Sequence, residues 1–296
     1  MPISKMVHEC NSAVADALPQ EAKDAVCAGR DDSSSSSNDE RTDEVATEAA
    51  AAAAAAVGVT TDAEVAQFVA EISMDDCAAR GWTLAARRAQ CDVWTMRSAA
   101  ASTVKVKIDG TAAFADVPVA VLLEVVTAPA HMDKWDKSML EFRTVARLDA
   151  HTRVNYYSVA MPLPLKNRDW VLRQSTVAPP RATPPAARAW AIFNRSCAWP
   201  TLPARADYVR ANCILNGWYI APTADGRGSR VYYYAHNEFL GAVPPALVNW
   251  ALRVFSASVI TKLRQACDAV LREKQQQGRA VPEPWCNDDP AASPAV

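Results

Sequence analysis

Apolar residues recur along this chain with two different periods, and the switch between them predicts its elements. From Leu247 onward the spacing is three and four. Leu247, Trp250, Val254, Ala257, Ile260, Leu263, Cys267 and Val270 form one stripe, which Arg253, Lys262, Asp268 and Arg272 avoid. Pro244-Pro245 pre-sets a first turn, so a helix is expected from there to about Lys274, roughly 45 Å long at 1.5 Å per residue. Thr61-Asp62-Ala63-Glu64 has the spacing of a capping box, and Val65, Phe68, Val69 and Ile72 form one stripe on the helix it opens. Pro118 starts a third helix, carrying Val121, Leu122, Val125 and Val126, which stops before Pro129. A helical turn from His131 to Trp135 follows.

Elsewhere the period is two. Trp82 to Ala86, Asp92 to Arg97 and Val104 to Ile108 read as strands, with a turn at Asp109-Gly110. After the helical turn come Glu141 to Leu148, Arg153 to Met161, Trp170 to Val177, Ala189 to Ala198, Val209 to Ile220 and Arg230 to Glu238. Proline, asparagine and glycine clusters separate them. Helix, three strands, two helices, six strands and a long helix predict an α+β fold with an antiparallel meander sheet.

The strand faces are unusual. On Arg153 to Met161 one face carries Val154, Tyr156, Ser158 and Ala160, the other Arg153, Asn155, Tyr157, Val159 and Met161. On Trp170 to Val177, Trp170, Leu172, Gln174 and Thr176 oppose Val171, Arg173, Ser175 and Val177. Mixed faces of this kind suit a ligand cavity, apolar with a few polar anchors. They suit equally a sheet with one solvated face.

Composition sets the limits. The chain has 296 residues, half of them hydrophobic, with a net charge of −2 from 31 basic and 33 acidic residues. That balance offers no electrostatic case for nucleic acid. No apolar run reaches about 18 residues, so no bilayer span is expected. The N-terminus shows no secretory-signal pattern and has Pro2 after Met1, so neither a secretory leader nor N-myristoylation is expected. The eight cysteines include no Cys-x-x-Cys pair and are expected to stay reduced, in a cytoplasmic protein. Residues 1–60, with Ser33 to Ser37 among acids and an alanine tract from Ala49 to Ala56, read as a mostly disordered tail with little to dock with. The folded domain is expected over 61–276, and 277–296 reads as a proline-rich tail. Four histidines, none in a nucleophile or metal signature, supply no catalytic machinery; His236 is the one nearest a strand face of interest.

Several short motifs in fixed order resemble the START (StAR-related lipid transfer) family. They are Trp135-Asp136, Pro162-x-Pro164 with Asn167-Arg168-Asp169-Trp170-Val171, Gly228-Ser229-Arg230-Val231-Tyr232 to Tyr234, and Asn237 with Gly241-x-x-Pro244-x-x-Leu247-Val248-Asn249-Trp250-Ala251. The resemblance spans about Thr61 to Lys274 and leans toward the phosphatidylcholine-transfer subgroup. It implies a helix-grip fold: a curved antiparallel sheet of about nine strands around the C-terminal helix, with an internal lipid tunnel. It implies a carrier, not an enzyme, with no cofactor. The partners it implies are one lipid and a transient membrane contact; the protein is expected to act as a monomer.

Carried over residue by residue, the resemblance puts walls of an aromatic cage for a choline head group on Tyr157 and Trp170. A third wall falls near Ile214, or on Trp218 or Tyr219 after a shift. The acid of the head-group region falls on Asp136. The arginine expected one turn earlier is Met132, so either Arg143 or Arg153 turns inward or the cargo is not a phosphocholine lipid. Asn155, Leu172, Trp250 and Val254 are expected along the tunnel. Phe239, Leu240 and Gly241, before the last helix, are expected to form its gate, with Phe239-Leu240 exposed. Arg168 and Asp169 read as a charged pair fixing the corner into the next strand. A lipid sensor, or a sterol or ceramide carrier, stays open as an alternative.

Overall fold

The computed structural model describes residues 51–96, 103–161, 165–178, 189–241 and 245–278, with side chains between 242 and 257 outside the description. Among the described residues ten strands form one sheet: β1 (Thr83–Arg87), β2 (Asp92–Met96), β3 (Thr103–Asp109), β4 (Met139–Arg147), β5 (Thr152–Val159), β6 (Asn167–Val177), β7 (Trp190–Ser196), β8 (Tyr208–Arg210), β9 (Asn212–Pro222) and β10 (Ser229–Glu238). Their order is β1-β2-β3-β10-β9-β7-β6-β5-β4, with β8 beside β6. The pairs along this path are antiparallel. The segment read as one strand from Val209 to Ile220 is two: β8 runs parallel to β6, and Ala211 breaks away to donate to the Asp169 carbonyl.

Four longer helices accompany the sheet: α1 (Asp62–Ile72), α2 (Val119–Thr127), α3 (Pro129–Trp135) and α4 (Pro245–Gln276). α1, α2 and α4 start where the sequence predicts them, and α3 starts two residues earlier than His131, with Pro129 in its first turn. Thr61 accepts the Glu64 amide at 3.3 Å while Glu64 Oε2 accepts the Thr61 amide at 3.1 Å, a complete capping box. Thr61→Ala is expected to lower stability by about 1 kcal/mol in equilibrium denaturation; an unchanged midpoint would mean that α1 is held by packing alone. α2 is buried nearly all round, which is why its sequence shows almost no polar face.

The helices divide between the two faces of the sheet. Ile260, Leu263, Cys267 and Val270 of α4 are buried with α2, Trp135, Ile108, Ile192 and Trp218 on the concave side. Val65, Phe68 and Ile72 of α1 are buried against Ala191, Phe193, Leu215 and Tyr234 on the convex side, with Phe68 stacked on Phe193 at 4.9 Å. A 32-residue α4 spans about 48 Å, long enough to cross the whole sheet.

The domain starts before residue 61. Residues 51–57 are helical, and Ala53 is buried against Val154, Tyr156, Val171 and Trp199 on the convex face of β5 and β6. Alanine has little side chain to pack, but its small size allows a helix backbone to approach the sheet closely. Arg173 anchors the following turn, donating to the carbonyls of Val57 and Val59 and pairing with Glu64, and Thr60 bonds Thr152 and Ser175. The alanine tract, expected to have little to dock with, is thus packed on the sheet at Ala53. The expectations for 1–50 and for most of the C-terminal tail lie outside the described residues.

The convex residues of β5 and β6 are thus covered by protein and not by solvent. The concave residues face something else.

Candidate functional site

A cavity of about 320 Å³ lies between the concave face, α2, α3 and α4. Strand alternation decides which side chains reach it. On β5 these are Asn155, Tyr157 and Val159; on β6, Trp170, Leu172 and Gln174. Tyr157 and Trp170 are partners in register, so their rings meet at 5.7 Å, tilted 39°. Phe239 meets Trp170 edge-on at 5.9 Å. Trp218, also in the lining, packs against Tyr233 at 4.6 Å and stands edge-to-face with Trp135 at 6.1 Å. Aromatic side chains therefore make up much of the lining.

Asp136 caps the C-terminal end of α3 and lines the cavity. Its Oδ2 accepts the Tyr157 hydroxyl, and its Oδ1 accepts the Ser138 amide at 3.1 Å and hydroxyl at 2.7 Å. Burial first, and the Asp136 carboxylate second, push the Tyr157 hydroxyl well above its ordinary range, so it stays a donor. Met132 lines the cavity one turn before Asp136 and brings no charge. Among the described lining residues Asp136 is the only charged group.

A polar row crosses the floor. Gln174 pairs in register with Asn194, and Asn194 with Asn216, on β6, β7 and β9. Asn194 Nδ2 donates to Asn216 Oδ1 at 2.8 Å. Asn155 Nδ2, Trp170 Nε1, Asn194 Oδ1 and Asn237 Oδ1 are buried without a hydrogen-bond partner, and all four residues line the cavity. Orphaned polar atoms of this kind are costly, so their collection around one cavity points to a ligand with polar atoms of its own.

The residues expected from sequence fall into three groups. Tyr157, Trp170, Asp136, Met132, Asn155 and Leu172 come together on the cavity wall, and Phe239 joins them. Ile214 stands outside the lining. The β9–β10 register skips it, pairing Leu215 with His236 and Cys213 with Asn237, and this bulge breaks the alternation that the carry-over onto Ile214 assumes. Trp218 takes the place on that wall, whereas Tyr219 points to the convex side and stacks on Tyr232 at 6.0 Å. Trp250 and Val254 lie on α4, but their side chains are outside the described residues. His236 is not among the lining residues; burial and the neighbouring Lys105 lower its pKa.

Two further expectations are corrected. Arg168 and Asp169 do not pair with each other, because adjacent strand residues point to opposite faces. Arg168, nearly fully buried, donates to the carbonyls of Phe239 at 3.1 Å and Leu240 at 2.9 Å. Asp169, also buried, accepts from Arg210 Nε at 3.0 Å and Nη2 at 2.9 Å. Phe239 is not exposed but turned into the cavity; Leu240 is the exposed one, at φ +50°, followed by Gly241 at φ +67°. Of the two bases considered as inward-turning, Arg143 bonds Glu141 and lies over the Tyr156 ring on the convex side. Arg153 is on the concave side, bonded to Gln174.

Tyr233, Gln174, Asn194 and Asn216 were not expected as site residues. Strand alternation alone brings them inward, and the signal lies in the cross-strand register, which no single strand displays.

The family model of the START domain matches residues 111–272. Human START domain-containing protein 10 is 29% identical over 218 residues, covering 73% of this chain and 71% of the relative. Human phosphatidylcholine transfer protein is 23% identical over 218 residues, covering 73% of this chain and 97% of the relative. The crystal structure of human STARD10 superposes with a TM-score of 0.62 at 27% identity, over 74% of this chain and 84% of that one. Human StAR-related lipid transfer protein 5 superposes with a TM-score of 0.57 at 14% identity, over 71% of this chain and all of that one, a likeness of fold.

Proposed function

Because this chain belongs to the START domain family, whose model covers more than half of it, we propose that it holds one lipid in the cavity and moves it between membranes, catalysing no reaction. The cargo is a phospholipid of the phosphatidylcholine type. The observation that carries this reading is the aromatic pair Tyr157–Trp170 beside the Asp136 carboxylate. A quaternary ammonium cannot donate hydrogen bonds, so it is bound by ring faces and by negative charge, and both are present on one wall. One relative is named for transfer of phosphatidylcholine, which supports the same head group.

One observation favours a second reading. With Met132 where a cation would neutralise a phosphate, and an amide row across the floor, the cavity also suits an uncharged polar lipid such as a ceramide or a sterol. Vesicle-to-vesicle transfer separates the two. Labelled phosphatidylcholine is expected to move, and cholesterol and ceramide not; the opposite ranking would defeat the choline reading.

No described helix is long and apolar enough to cross a membrane. Membrane contact is transient in this reading, and the protein works as a cytoplasmic monomer. The lipid enters where Phe239, Leu240 and Gly241 part from the sheet, and Arg168 is the latch of that gate. Lysine at 168 has one ammonium for two carbonyls. Arg168→Lys is expected to speed spontaneous release of bound lipid several-fold, measured by dilution into acceptor vesicles; an unchanged release rate would remove the gate.

A further inference from the structure

The two halves of the sheet are backed differently on the convex side. α1 covers β7, β9 and β10 through Ala191, Phe193, Leu215 and Tyr234. β5 and β6, which carry Tyr157 and Trp170, lie toward the end of the sheet where β4 is the edge strand. Their convex side chains Val154, Tyr156 and Val171 are covered by residues 51–57 and by Trp199 and Leu202 from the chain between β7 and β8. Strand alternation sets these against the cavity residues: Val154 and Tyr156 flank Asn155, and Val171 stands between Trp170 and Leu172.

The segment 51–60 is fastened at its far end by groups that reach both strands. Thr152 and Ser175 are a registered pair on β5 and β6, both almost fully buried, and the Thr60 hydroxyl bonds to each, to Thr152 at 3.2 Å. The same ladder carries the Tyr157–Trp170 pair. Arg173, also buried, donates to the carbonyls of Val57 and Val59 and pairs with Glu64. Ala53, Thr60, Thr152, Arg173 and Ser175 are all absent from the cavity lining. The segment also precedes residues 111–272, the part that the START family model matches.

We propose that residues 51–60 are a positioning element for the cargo: docked on the convex face, they fix β5 against β6 and hold the Tyr157 and Trp170 rings where they receive the quaternary nitrogen. Ala53 is the seat of this element and Thr60 its tie. A small side chain at 53 lets the helix lie close to Val154 and Val171. A carboxylate at that place has no partner for its burial, so the helix lifts from the sheet. The binding effect rests on the choline-phospholipid reading; the bracing of β5 and β6 does not.

The test uses the full chain as wild type, Ala53→Asp, Ala55→Asp, Trp170→Leu and the double variant Ala53→Asp with Trp170→Leu. Ala55 is on the exposed side of the same helix, so Ala55→Asp adds the same charge and the same helix propensity without undocking it. Two readouts are taken: hydrogen exchange of the β5 and β6 amides, and retention of labelled phosphatidylcholine. Ala53→Asp is expected to exchange faster in both strands and to hold the lipid about tenfold more weakly, with Ala55→Asp like the wild type. In the Trp170→Leu background, where the ring pair is already broken, Ala53→Asp is expected to add less than about twofold, because both changes act through the same rings. Unchanged exchange in Ala53→Asp, or unchanged retention despite faster exchange, would overturn the proposal. So would a tenfold loss in both backgrounds, since the segment would then act on the domain in general and not on the ring pair. A wild-type protein that takes up no choline phospholipid would defeat the underlying reading, and the binding half of this inference with it. The exchange comparison would still decide whether the segment braces the strands.

Discussion

Replacing Asp169 with alanine is expected to cost about 3 kcal/mol of stability and to lower the melting temperature by roughly 10 °C. The Asp169 side chain is fully buried and accepts both Arg210 nitrogens and, at 3.2 Å, the Tyr156 hydroxyl. Its removal leaves the buried Tyr156 phenol without an acceptor, though Arg205 still donates to it, and leaves the Arg210 guanidinium without its counter-charge. Arg210 is about a quarter exposed, at 27%, so water relieves part of that loss and the value falls at the low end for a broken buried pair. The consequence is local first. Asp169 holds β8 beside β6, and Asp169 is flanked by Arg168, the gate latch, and Trp170, the cage wall. Equilibrium unfolding in urea gives the value. A loss below about 1 kcal/mol would mean that the pairing of β6 with β8 does not depend on this carboxylate.

Trp170→Leu is expected to weaken retention of phosphatidylcholine about 30-fold, whereas Trp170→Phe retains most of it. Leucine keeps apolar volume between Tyr157 and Phe239 but has no ring face for a cation. A desolvated cation–π contact is worth about 2 kcal/mol, the equivalent of that 30-fold change. The phenylalanine variant separates the ring face from the indole nitrogen, which is buried and unpaired in the cavity wall. Competition between labelled phosphatidylcholine and the purified variants measures the change. Equal retention by the leucine and phenylalanine variants would show that Trp170 serves packing and not the head group.

Much of this architecture is legible from the order of residues, because local rules act on it directly. Thr61 and Glu64 are three residues apart, and that spacing alone specifies the capping box seen at α1. The stripe from Ile260 to Val270 specifies which side of α4 is buried. Tyr157 and Trp170 alternate inward as β strands require, and their pairing follows from a short loop between β5 and β6.

What was illegible depends on contacts distant in sequence. Ala53 is buried only because β5 and β6 offer Val154 and Val171 beneath it, and a run of alanines does not announce such a surface. Ile214 drops out of the cavity lining at a point where one extra residue is accommodated opposite His236 and Asn237, and a bulge has no reliable mark in a strand of mixed residues. Arg168 and Asp169 are neighbours that read as a pair, yet each finds its partners about 40 to 70 residues away. The row Gln174, Asn194 and Asn216 is scattered over three strands and becomes a row only in register.

The most direct measurement is native mass spectrometry of the full chain after exposure to mixed vesicles of phosphatidylcholine, phosphatidylethanolamine, ceramide and cholesterol. One phosphatidylcholine per chain is expected, released when the protein is denatured and depleted in Trp170→Leu. A chain that stays empty, or that fills equally with ceramide or cholesterol in the wild type and in Trp170→Leu, would contradict a cavity built around a choline head group.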